Sequence, residues 1–111
     1  MQNVHNIPKK GFYYHYKHDP TKSVNNYAYE FMGGGMHTES DCRPSDKMLA
    51  IYRPLYEARV FTEGKLFDVR PLAMWMENVT KDGKTFPRFS YITDSAVILE
   101  LEGIKRAMYD T

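Results

Sequence analysis

Turn-forming residues cut most of this chain into short pieces. Gly11, Pro20, Gly33-Gly34-Gly35, Pro54, Gly64, Pro71 and Asp82-Gly83 recur at close intervals over residues 11–92. The runs between them are rich in aromatic and branched residues, which suit strands. In Phe12-Tyr13-Tyr14-His15-Tyr16-Lys17, alternation places Phe12, Tyr14 and Tyr16 on one face and Tyr13, His15 and Lys17 on the other. Further strands are predicted over 27–32, 48–53, 66–70 and 86–92, with Leu55 to Phe61 continuing the pairing beyond Pro54. Asp82-Gly83 signals a hairpin, and Pro71 is placed to start a short helical turn through Met76. The end of the chain differs in character. Asp94 or Ser95 can cap a helix whose apolar positions are Val97, Ile98, Leu101, Ile104 and Met108. The pattern predicts a mainly β protein: a small SH3-like antiparallel barrel with a short helical turn and a C-terminal helix.

This reading divides the chain into an extended or frayed arm over 1–11, a barrel over 12–92, and a helix over 93–111 packed on the barrel. The helix's apolar stripe offers a second role as a homo-oligomer surface. At 111 residues one domain is expected. Fifteen Lys and Arg against fourteen Asp and Glu leave a net charge of +1, which lacks the strong field of a dedicated nucleic-acid or membrane-surface binder. No apolar run approaches the roughly 18 residues that span a bilayer. The N-terminal residues lack the apolar stretch of a secretory signal. The lone Cys42 excludes an internal disulfide and fits a reducing cytoplasm. The nine tyrosines are the unusual number, and they suggest binding.

Four groupings of residues carry possible chemistry. The three glycines lack the following lysine and hydroxyl of a phosphate loop, so a bulge or barrel corner is expected there. His37 and Glu39 share a strand face and can act as acid and base, although no nucleophile is placed beside them by sequence. His15, His18, His37 and Cys42 make a zinc-like set of four. A strand aims residues three apart to opposite faces, however, and no metal or other cofactor is expected. Arg53, Arg70 and Arg88 stand among Tyr13, Tyr52, Tyr56, Trp75 and Phe89, a mixture that stacks on rings and grips carboxylate or phosphate. The structural alternative pairs Arg53 with a glutamate, ties Arg70 to loop carbonyls, and leaves Trp75 and Phe89 in the core.

Several short motifs also fall in order: Tyr13-Tyr14-His15-Tyr16-Lys17, His37-Thr38-Glu39, Ile51 to Tyr56, Val69 to Trp75, and Asp82-Gly83-Lys84 with Pro87-Arg88-Phe89. Together they resemble a small bacterial family known as domain of unknown function 1653, across residues 12–92. The resemblance implies a compact, mostly β domain and brings no activity or catalytic residue with it. The segments 17–37 and 56–69 are longer than the family pattern, and the C-terminal helix is an addition to it. The function expected is non-catalytic binding of a peptide segment or a small anionic ligand. The residues expected to carry it are Tyr13, His15, His37, Glu39, Tyr52, Arg53, Tyr56 and Arg70. Metal-independent hydrolysis by His37 and Glu39, and weak binding of single-stranded nucleic acid, are the alternatives.

Overall fold

Phe12 and Tyr13 are neighbours on one strand, point to opposite sides, and are both buried, at 5% and 6% exposure. A strand buried on both sides needs a layer on each. In the computed structural model, which describes residues 7–110, this strand is β1 (Gly11–His15). The chain continues as β2 (Ala28–Met36), β3 (Met48–Pro54), α1 (Arg59–Thr62), β4 (Asp68–Pro71) and α2 (Leu72–Met76). A hairpin of β5 (Asn78–Lys81) and β6 (Lys84–Pro87) follows, then β7 (Phe89–Tyr91) and the helix α3 (Ser95–Tyr109). Five strands form one antiparallel sheet in the order β4-β3-β2-β1-β7, while β5 and β6 pair only with each other.

The mainly β, antiparallel reading holds, and barrel closure does not. The sheet ends on β4 at one edge and β7 at the other, and among the described residues these strands do not pair. Three local expectations also change. Leu55 carries the pairing one rung past Pro54 by donating its amide to Ala28, and only then does the chain leave the sheet and turn through α1. The single strand expected over 86–92 divides at Arg88, whose amide still bonds Glu77 beside β5 while its carbonyl accepts the Tyr16 amide beside β1, so the chain changes sheets there. Pro71 caps α2 instead of opening it, because its ψ of 134° keeps it extended. The Asp82-Gly83 hairpin forms as read, with φ values of 52° and 75° that suit a type I′ turn.

The glycine run lies inside β2. Its register with β3 slips between Phe31 and Gly33, so Met32 is the extra residue of a bulge. Gly33 sits at φ 147°, which a side chain rarely tolerates. Gly33→Ala is therefore expected to cost about 1–3 kcal/mol, read as a lower urea midpoint with an unchanged slope.

Each face of the sheet has its own core. On the tyrosine face Tyr13, Phe31, Ala50, Tyr52, Leu72, Trp75 and Phe89 pack together. Trp75 from α2 stacks flat on Phe89 at 3.6 Å and meets Tyr52 at 4.7 Å. On the other, the helix face, α3 covers Phe12, Ala28, Leu55 and Ile92 through Leu101, with Val97, Ile98 and Ile104 alongside. Asp94 caps the helix by accepting the amides of Ala96 and Val97. Tyr109 joins this cluster where Met108 was expected.

The expected arm falls partly outside the described residues. From Ile7 onward it is docked: Ile7 packs against the tyrosine-face core, and the Tyr13 hydroxyl donates to the Lys9 carbonyl at 2.7 Å. Among the described residues no helix is long and apolar enough to cross a membrane.

Candidate functional site

Register decides which side chains meet. Tyr52 opposes both Phe31 and Asp68, Tyr29 opposes Tyr13, and His15 opposes Phe89, so all share the tyrosine face. Arg70, two residues beyond Asp68 on β4, shares it too. Toward the start of β2 this face leaves the dry core and becomes half-exposed. There the rings of His15, Tyr27, Tyr56, Tyr29 and Phe89 form a closed circuit, each ring 5.1–6.1 Å from the next. The Tyr29 and Tyr56 hydroxyls hydrogen-bond to each other. Burial pushes the Tyr29 phenol strongly upward, and the Tyr56 hydroxyl adds to the rise.

Arg70 closes one side of this basin. Its Nε donates to the Tyr52 hydroxyl at 2.7 Å, and its guanidinium lies 5.7 Å from the Tyr52 ring and 5.6 Å from the Phe89 ring. Among the described residues it has no carboxylate within 4.0 Å. Asp68 is half-buried nearby, and burial raises its carboxyl against the opposing pull of Arg70. Two residues apart on one strand, the two charges sit side by side without bridging.

His15 is neutral in this setting. Burial first, then the charges of Lys17, Arg70 and Arg88, bring its imidazole down to about 4. Its Nδ1 accepts the Lys17 amide at 3.2 Å, which leaves Nε2 to carry the proton. Because the folded value lies below the ordinary 6.5, the unfolded chain takes up a proton first as pH falls. His15 is thus expected to make stability fall between pH 6.5 and 4. Urea midpoints measured across that window should lose part of this slope in His15→Asn.

The eight residues expected to carry binding separate into four places. Tyr52, Tyr56, Arg70 and His15 come together in the basin. Tyr13 lies beneath it in the core, edge-on to Trp75 at 5.3 Å. Arg53 faces the helix side, where its Nε meets Glu30 at 2.9 Å and its guanidinium covers the Tyr109 ring at 3.9 Å. His37 and Glu39 line a separate cleft of about 470 Å³ with Cys42 and Lys47, and the Glu39 amide donates to His37 Nδ1. His18 stacks on Tyr14 at 3.5 Å, on the side of the sheet away from His15.

Three residues of the basin escaped the sequence reading: Tyr27, Tyr29 and Asp68. Tyr29 and Asp68 had a signal. Tyr29 belongs to an alternating run, and Asp68 stands two places before Arg70 in a predicted strand. Tyr27 opens the run predicted over 27–32, but its φ of 52° places it in the turn before β2 rather than on the strand.

A family model described as a protein of unknown function (DUF1653) matches residues 11–91. The chain belongs to this family. No curated protein and no solved structure matches it. The DUF1653 segment runs from the first residue of β1 to the last residue of β7. It contains every residue of the basin, whereas α3 and Tyr109 follow it. The basin is therefore built wholly from the DUF1653 segment, and the Arg53–Tyr109 contact is not.

Proposed function

We propose that the chain is a binding module that takes an anionic group, on a peptide segment or a small ligand, against Arg70 in the aromatic basin. One observation carries this reading. Of the six arginines, Arg43, Arg53, Arg59 and Arg88 each pair with a carboxylate, and Arg106 is exposed near the end of a helix. Arg70 alone is half-buried against rings with a phenol as its hydrogen-bond partner. A guanidinium held by aromatic faces presents its remaining donors in a fixed fork, which suits a carboxylate or phosphate. Tyr27 and Tyr56 add rigid contact area on the rim.

The use of a small bent antiparallel sheet with an aromatic rim is SH3-like in manner, and a peptide segment is the larger of the two ligand classes it suits. A free thiol at Cys42 and no disulfide fit a cytoplasmic setting. The test is a thermal-shift and calorimetric screen of short peptides and small carboxylates or phosphates on the full chain. A ligand of this site is expected to raise Tm, and Arg70→Ala to weaken it by about 10- to 100-fold, the scale of a lost charge-assisted hydrogen bond. Binding that survives Arg70→Ala unchanged would move the site elsewhere.

A further inference from the structure

We infer that the ligand of the aromatic basin is zwitterionic, with Asp68 receiving its ammonium group while Arg70 holds its carboxylate. This rests on the Arg70 reading above and goes beyond it by giving the ligand a second charge and a geometry.

The two side chains leave the same face of β4 two residues apart, a separation of about 6–7 Å along the strand. They do not bridge each other, and among the described residues Asp68 pairs with no cation. No side-chain or amide donor among those residues reaches the Asp68 carboxylate either. A half-buried carboxylate with no donor is costly unless water or a ligand supplies one. The carboxyl and ammonium groups of an α-amino acid are one carbon apart, and two side chains leaning inward from that spacing can take one group each. Tyr52 is the register partner of Asp68, its ring meets that of Tyr29, and Tyr29 meets Tyr56. Aromatic faces favour an ammonium over water alone. The same rings give an apolar or aromatic ligand side chain a surface to pack on.

The rim is partly open: Tyr27 is exposed, and Asp68, Arg70 and Tyr56 are each half-exposed.

The test titrates the full chain with phenylalanine, N-acetylphenylalanine and phenylalaninamide, followed by calorimetry and amide chemical shifts. The free amino acid is expected to bind at least tenfold more tightly than either blocked form. Asp68→Asn should abolish the advantage over N-acetylphenylalanine while leaving affinity for that acid unchanged. Arg70→Ala should weaken both acids together. Equal affinity for phenylalanine and its N-acetyl form, lost in Arg70→Ala, overturns the zwitterion and leaves the anion site standing. Binding of none of the three, or binding indifferent to Arg70, overturns both. The comparison of the three probes on the unmodified chain needs no variant to fold.

Discussion

Trp75→Ala is expected to lower the unfolding free energy by about 3–5 kcal/mol, measured by urea denaturation. Trp75 is 2% exposed and lies in a five-residue turn of helix that has little stability of its own. Its indole stacks on Phe89 and touches Tyr13, Phe31 and Tyr52, with ring centroids 3.6–5.3 Å away. Removing it takes away the plate on which Phe89 rests, and Phe89 in turn supports Arg70 and His15. A loss of this size is a large share of the 5–15 kcal/mol typical of a domain. Trp75→Phe, which refills part of the space, should recover a good part of it. A cost below about 1 kcal/mol for Trp75→Ala would mean that the tyrosine-face core does not depend on α2.

Glu30→Ala should have the second largest effect, about 3–5 kcal/mol, because it leaves two cations facing each other with no anion between them. The Glu30 carboxylate accepts Arg53 through one oxygen and Lys105 through the other, each at 2.9 Å. The side chains of Glu30 and Arg53 are only 12% and 15% exposed, so water screens their pairing poorly. Arg53 also spreads over Tyr109, which anchors the end of α3 to β3 through the Pro54 carbonyl. A double-mutant cycle with Arg53→Met separates the lost pairing from the isolated charge left behind. If Glu30→Ala and Glu30→Ala/Arg53→Met unfold at the same urea concentration, the Arg53 charge left unpaired is not what makes the loss of Glu30 costly.

The two substitutions probe opposite faces of one sheet, and those faces differ in how legible they were in the sequence. Alternation placed Phe12 and Tyr14 opposite Tyr13 and His15 correctly, because a two-residue period is fixed by backbone geometry. The Asp94 cap and the stripe of α3 were legible for the same reason: capping and helical periodicity are local. The division at Arg88 was not, since it depends on the chain passing from the β5–β6 hairpin to the edge of the main sheet. The basin was half visible. Tyr52 and Arg70 stood in short motifs, but their union with His15, Tyr56 and Phe89 depends on the order of strands. Arg53 sits beside Tyr52 in sequence and lies on the other side of the sheet. A motif brings such neighbours together on paper, whereas a strand holds them apart. His37 and Glu39 follow the glycine bulge, and the polar loop beyond it carries them to their own cleft, away from Arg70.

The pairing of β1 with β7 has a kinetic consequence. His15 faces Phe89 across 89 − 15 = 74 positions of chain, and Tyr13 faces Tyr91. Contacts so distant in sequence close late, because loop entropy must be overcome before they give anything back. During synthesis the hairpin of β1 and β2 can form early, yet one edge of β1 stays bare until β7 has emerged. Over that interval Tyr13 and Phe31 lack the Trp75 and Phe89 rings that cover them in the finished fold. A nascent chain stopped short of residue 89 should therefore be more sensitive to protease and more prone to associate than one extended past residue 91.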